Sequence, residues 1–433
     1  MVRARSWAWA AIAAGAGLAV APAARAAAVG PDHGDTAWLL AASALVLFMT
    51  LPGLALFYAG LVRVKNTLSV MIHCVAIACL VSILWLLVGY SLAFAGAAPL
   101  IGGLGKAALL GMSRHSLEGS VPEAAYFVFQ LTFAVITPCL IVGAYVERIR
   151  FSAVLVFSAA WLLVVYAPVA HWVWGGGWLA QRGVLDFAGG LVVHATAGVS
   201  ALVLAMILGR RDGFPRELHP PHDPGMTMIG AGMLWVGWYG FNGGSALAAD
   251  GTAAMAILAT HVAASAAGLT WALIERLRFG RASMVGMVTG VVAGLATITP
   301  ASGYVGPLAA LALGIAGSLV CFAAVEIVKN RLRIDDSLDV FAVHGVGGIL
   351  GSLLVAIFAS RALGGAGYAG AGGGMARQLG TQALAVVAVV AWSGLATAAI
   401  AYATRALVGL RARPEEIEEG LDLTYHGERA YNQ

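Results

Sequence analysis

The chain has 433 residues, of which 60% are apolar and only 11% charged, with a mean hydropathy of +0.87; no soluble domain has this balance, so the chain reads as a membrane protein with the lipid bilayer as its surroundings. Its formal charge of +4 does not indicate nucleic acid, because the basic residues lie in short loops between apolar runs rather than on one face. The 56 glycines fit transmembrane helices that pack backbone to backbone.

In chain order, residues 1–28 carry Arg3 and Arg5, an apolar stretch from Trp7 to Ala21, and A-R-A-A-A at Ala24 to Ala28, which offers a small-residue cleavage site. This is the pattern of a cleavable signal peptide, and cleavage would leave the new amino terminus outside. Eleven apolar runs follow that are long enough to cross about 30 Å of hydrocarbon: 36–62, 67–95, 123–146, 151–171, 188–209, 225–247, 253–275, 284–299, 305–328, 339–360 and 378–408. The run 284–299 carries Gly286, Gly290 and Gly294, a small-residue ridge for close helix contact. Alternate loops and the tail hold seventeen Lys and Arg residues against five on the opposite side. This puts the carboxyl terminus in the cytoplasm and the amino terminus outside. The four cysteines fall inside apolar runs without metal-ligand spacing and read as buried thiols. No metal site, cofactor motif, nucleophile with base or paired carboxylates points to an enzyme.

The sequence V-H-A-T-A-G at Val193 to Gly198 recurs as V-H-G-V-G-G at Val343 to Gly348. The two histidines, His194 and His344, fall in the fifth and tenth runs. Five is odd, so a five-plus-five division inserts the second set upside down relative to the first, and the two histidines can meet near the midplane. Ala197, Gly198, Gly347 and Gly348 lie three and four residues beyond each histidine, on its helix face, and let a second helix approach the ring. No Asp, Glu, Lys or Arg occupies a helix centre, so the histidines are the central ionisable groups. His73 and His261 read as inter-helix hydrogen bonders, and His171 as interfacial. Phe129 and Phe133 share one helix face, as do Phe241 and Ser245, while Trp174 is followed by three glycines that leave its ring face uncovered. Asp186, ahead of the fifth helix, reads as an N-cap, and so do Asp335, Asp336 and Asp339 ahead of the tenth.

The runs A-H-W-V-W-G-G-G-W-L-A (Ala170 to Ala180) and L-D-F-A-G-G-L-V-V-H (Leu185 to His194) resemble the signature of the ammonium transporter family, the Amt/Mep/Rh superfamily. Similar too are Leu47 to Gly60, Gly143 to Phe151, Gly237 to Ser245, Asp339 to Gly345 and the tail from Gly420 to Tyr431. The resemblance implies an all-α membrane protein of eleven helices in an inverted five-plus-five repeat plus a last long helix, with a pore through each subunit of a homotrimer in the inner membrane. Residues 29–408 would form the transporter domain, and 409–433 a cytoplasmic regulatory tail that contacts neighbouring subunits and a PII-type signalling protein. By position, Phe129, Trp174 and Ser245 look like the external recruitment site for ammonium, Phe133 and Phe241 like a stacked phenyl gate, and His194 and His344 like the paired imidazoles of the pore. Asp186 looks like the family's carboxylate at the start of helix five, Trp174 favours the Amt branch over the Rh branch, and Leu131 is larger than the residue some members carry. The activity implied is recruitment of ammonium, release of its proton and passage of ammonia, with net charge movement. An ammonium sensor and an electroneutral Rh-type channel for ammonia or carbon dioxide are the alternatives.

Overall fold

A computed structural model describes residues 30–217, 219–368 and 374–431. The expected signal peptide, 1–28, lies outside the described residues. A helix forms on each of the eleven apolar runs. These are α1 (His33–Leu61), α2 (Val64–Phe94), α3 (Glu123–Tyr145), α4 (Phe151–Val173) and α5 (Gly190–Leu208), then α6 (Pro224–Trp238), α7 (Gly251–Phe279) and α8 (Met284–Ile298). α9 (Pro307–Arg331), α10 (Phe341–Phe358) and α11 (Met375–Val408) complete them. Nine are long and apolar enough to cross a membrane, and α6 and α8 are shorter. Among the described residues the one sheet is a hairpin of two-residue strands, β1 (Leu117–Glu118) and β2 (Val121–Pro122).

Local chemistry starts and stops these helices. Asp32, Asp223, Asp250 and Ser283 each accept a backbone N–H in the first turn of α1, α6, α7 and α8, and Gly280 ends α7 in the left-handed region at φ +82°. α3 and α5 lie at the centre, with 83% and 78% of their apolar windows buried, against 33% for the peripheral α11. Large apolar side chains cover the outside of the bundle, among them Leu308, Leu277 and Leu395, all more than 70% exposed. Such a surface is stable only against an apolar solvent, so this is a multi-pass membrane protein. The glycine ridge on α8 does what its spacing suggests: a Cβ on Gly290 would sit 2.4 Å from Trp271 Cβ, and one on Gly294 2.5 Å from Ala267 Cβ.

Several stretches are wound as π-helix, including Gly190–Ala195 at the start of α5, Phe341–Gly345 at the start of α10, and Tyr239–Gly243, which continues α6. Beyond α11 the chain forms α12 (Pro414–Glu419) and α13 (Leu421–His426), which fold back on the body. Asp422 accepts the backbone N–H groups of Leu68 (3.0 Å) and Ser69 (2.6 Å) near the start of α2, and the Leu421 N–H donates to Asn66 Oδ1. A carboxylate from the far end of the chain thus caps the second helix.

Some sequence expectations are corrected. Cys79 is exposed on the outside of the bundle, while Cys74, Cys139 and Cys321 are buried thiols. His171 is fully buried rather than interfacial, with Nδ1 2.9 Å from the Ala93 carbonyl. His261 does bond between helices, to the Tyr239 hydroxyl at 2.6 Å, but neither ring nitrogen of His73 finds a partner among the described residues.

Candidate functional site

The two V-H segments meet where α5 and α10 cross. A Cβ on Gly198 would lie 2.2 Å from Gly345 Cα, so the two backbones touch there and only glycine fits. This contact sets the imidazoles in offset stacking, 5.2 Å between centroids and 19° between planes, with His194 Nδ1 3.2 Å from His344 Nδ1. Both rings are buried. A hydrogen bond between two Nδ1 atoms needs a proton on one and a lone pair on the other, so two neutral rings sharing it keep one Nε2–H donor and one Nε2 acceptor. His194 Nε2 has no partner among the described residues.

Three cavities lie in line around this pair. The first, about 250 Å³, is lined by Tyr126, Phe129, Gln130, Phe133, Trp174 and Ser245, among others. It brings together Phe129, Trp174 and Ser245, the three residues in which the family resemblance suggests a recruitment site. Phe129 and Phe133 are 5.0 Å apart edge to face, and Phe133 meets Trp174 at 5.8 Å and 89°. The Trp174 Nε1–H donates to the Asp186 carbonyl (2.9 Å), and the Ser245 hydroxyl donates to the Phe241 carbonyl (2.8 Å), which leaves its oxygen as an acceptor. Phe133 stacks on Phe241 at 4.3 Å and 30°, and this pair closes the cavity's floor.

Beneath it is a chamber of about 10 Å³, lined by Phe241, Trp238, Val193, Ile136 and both histidines. That is room for about one water. Trp238 lies nearly parallel to His194 at 5.5 Å, and its Nε1–H donates to Thr299 Oγ1. Sequence reading missed Trp238; the signal was its place three residues before Phe241 on one helix face.

The third cavity, about 200 Å³, starts at His344 and is lined by Arg211, Lys329, Ser337 and Asp339. Here the N-cap reading of three aspartates needs correction. Asp336 accepts the Phe341 N–H (2.7 Å) at the start of α10, as a cap does. Asp339 instead pairs with Lys329 at 2.7 Å, and Asp335 takes the guanidinium of Arg211 at 3.0 Å. A carboxylate takes the strongest donor in reach, for Asp335 a guanidinium from a distant loop and for Asp339 the ammonium at the end of α9. Arg211 also pairs with Glu147, which Arg63 holds from the other side at 3.2 Å. Burial works to raise Asp335 and Glu147, but the surrounding arginines overcome it and hold both carboxyls below their ordinary range.

Asp186 lies behind the rings, not among them. It is buried, and its two oxygens accept the backbone N–H groups of Gly189, Gly190, Leu191 and Val192 at 2.6–3.1 Å. Burial pushes its carboxyl up to about 6 against these four donors. It stands eight residues before His194, as Asp336 stands eight before His344, so the duplication extends beyond the V-H motif. Among the described residues no group of His, Cys, Asp or Glu side chains could hold a metal ion.

Comparison with known proteins agrees with this geometry. The profile of the Ammonium Transporter Family matches residues 37–431. The chain is 45% identical over 401 residues to an ammonium transporter of Bacillus subtilis, covering 92% of this chain and 98% of that one. It is 42% identical over 399 residues to ammonium transporter Amt1 of Archaeoglobus fulgidus, covering 92% and 99%. Among solved structures it is similar to one titled Sensor Amt Protein, with a TM-score of 0.85, 30% identity and coverage of 91% and 98%. It is also similar to Mep2 of Candida albicans, with a TM-score of 0.81, 36% identity and coverage of 89% and 88%. The curated relatives are named ammonium transporters, a family of transporters rather than enzymes, and the chain belongs to the ammonium transporter family.

Proposed function

We propose that the protein recruits ammonium in the aromatic cavity, strips its proton and passes ammonia along the histidine pair into the charged cavity, with net charge movement. In this reading Phe129, Trp174 and Ser245 hold the cation, Phe133 and Phe241 gate the way down, and His194 and His344 line the pore, while Asp186 keeps the start of α5 in shape. Residues 1–28 are removed, and all eleven helices cross the inner (plasma) membrane in two inverted sets of five plus α11, with the aromatic cavity outside and the tail in the cytoplasm. Three copies assemble, and residues 409–433 regulate transport with a PII-type partner.

The observation that carries this is the Nδ1-to-Nδ1 pair in a chamber too small for a hydrated ion. A ring face holds a cation by about 0.5–2 kcal/mol, whereas an ion in the bilayer interior costs on the order of 10 kcal/mol. Releasing the proton is cheaper: with a lysine ammonium as stand-in, it costs about 5 kcal/mol at pH 7. Ammonia then crosses by exchanging hydrogen bonds with one donor and one acceptor nitrogen. Potassium has no proton to lose.

The test is ammonium-driven current and uptake in proteoliposomes. The double variant His194→Ala, His344→Ala should abolish the current or admit potassium; an unchanged current with potassium still excluded sinks the reading. A sensor is the second reading, supported by the likeness to the structure titled Sensor Amt Protein. Ammonium binding without uptake in the same vesicles would favour it, and uptake without current would favour an electroneutral channel.

A further inference from the structure

Where the tail docks, it covers polar atoms that have no partner among the described residues and line none of the three cavities. His73, three turns into α2, is buried with both ring nitrogens unbonded. The Tyr145 hydroxyl at the end of α3 is also buried and unbonded, and so is Nε2 of His426, the last residue of α13. Phe151, the first residue of α4, is the hub. His73 stacks on it at 5.9 Å and 12°, Tyr145 lies 6.1 Å from His73, and His426 meets Phe151 edge-on at 5.1 Å and 83°. A buried polar group without a partner costs about 1–3 kcal/mol, so this contact can hold a neutral imidazole but is a poor place for a charged one.

We propose that α13 is a proton-released latch: it docks against Phe151 with His426 neutral and lets go when His426 takes up a proton. The proposal rests on the reading of the tail as a regulatory segment and adds what regulates it, the proton concentration on the tail's side of the membrane.

The groups around His426 allow this. From its own segment Asp422 and Glu428 favour a charged ring, but both Asp422 oxygens are engaged on the N–H groups of Leu68 and Ser69, and Tyr425 turns its hydroxyl to Glu416. From α2 come His73 and Lys65, whose ammonium binds the Glu418 carbonyl. From α3 comes Tyr145. Ahead of α4 the Arg150 guanidinium is engaged on the carbonyls of Val408 and Arg411. Among the described residues no carboxylate from another element pairs with the ring, and His73, itself a base, packs on the same Phe151 ring.

Burial depresses His426 below its ordinary value, outweighing Asp422 and Glu428. The released tail therefore binds the proton more tightly than the docked tail. Docking is strongest above the ordinary histidine value, about 6.5, and weakens as pH falls through it.

The experiment is hydrogen exchange of the full-length protein in lipid nanodiscs between pH 8 and pH 5.5, corrected for the intrinsic pH dependence of exchange. Amides from Leu421 to Gly427, with Leu68 and Ser69, should lose several-fold protection on acidification, while those of α5 keep theirs. His426→Gln and His426→Phe should both remove the pH response, and the second keeps the ring against Phe151. Level protection in the unaltered protein overturns the proposal, as does a pH response that survives in His426→Gln. So does a His426→Phe tail that is undocked at pH 8, since the docked state would then need the imidazole's polarity. Loss of ammonium current would count against the transport reading and leave this measurement untouched.

Discussion

The two cavities that flank the histidine pair are similar in size and opposite in chemistry. The aromatic one is lined by rings, two aliphatic side chains, an amide and a hydroxyl, with no Asp, Glu, Lys or Arg in its wall among the described residues. The charged one has Arg211, Lys329 and Asp339 in its wall, and each is bound to an opposite charge. A ring-lined cavity holds a cation weakly enough to release it or its proton. A full carboxylate there would hold the ion and raise the energy needed to deprotonate it. In the charged cavity the ions serve architecture: Arg211 ties its loop to Asp335 and Glu147, which are distant in sequence, and Lys329 ties the end of α9 to Asp339 ahead of α10.

That division predicts where substitutions act. The largest effect belongs to Arg211→Gln, which strips a guanidinium from Asp335 and Glu147, 0% and 3% exposed. The expected loss is about 3 kcal/mol, the low end for a broken buried pair because Arg148, 4.0 Å from Asp335, and Arg63, 3.2 Å from Glu147, remain. Thermal unfolding in detergent measures it, and ammonium selectivity in vesicles should survive. A stable Arg211→Gln protein with altered selectivity would break the comparison.

The crossing between the cavities comes next. Gly198→Ala forces a methyl into Gly345 and should cost about 1–3 kcal/mol while prising the imidazoles apart. Reduced current with a lowered unfolding temperature is expected; normal values of both would show that the contact can relax. The smallest effect belongs to Trp174→Leu, which removes one ring from the aromatic cavity. Apparent affinity for ammonium should fall about twofold to thirtyfold with stability nearly unchanged, the equivalent of about 0.5–2 kcal/mol.

The same division explains what could be read from the sequence. The histidine pair was legible because the V-H segment repeats outright, whereas helical spacing put Phe129 with Phe133 and Phe241 with Ser245 on shared faces and only the family resemblance joined them with Trp174 into one cavity. The charged cavity was not. Asp335, Asp336 and Asp339 look alike as acids before a helix, and only the fold decides that one caps, one takes Arg211 and one takes Lys329. His73 looked like a hydrogen bonder because an imidazole in an apolar helix ordinarily finds a partner. Its isolation depends on the placement of Phe151 and of the tail, which no local pattern in α2 records. Trp238 was hidden for another reason: tryptophan is common in apolar helices, and its place three residues before Phe241 marks a shared face but not the imidazole it stacks on.

The π-wound stretches carry a further consequence. His194, His344 and Phe241 all sit in them, and each such stretch amounts to one residue more than an α-helix of the same rise would need. That extra residue turns everything on one side of it by about 100° relative to the other, the angle of one α-helical step. The groups that meet at the chamber are therefore phased independently of the surfaces their helices show to neighbours and lipid above and below. Outer faces of α6 and α10 can drift in sequence to suit a different bilayer while the stacking of rings within stays fixed.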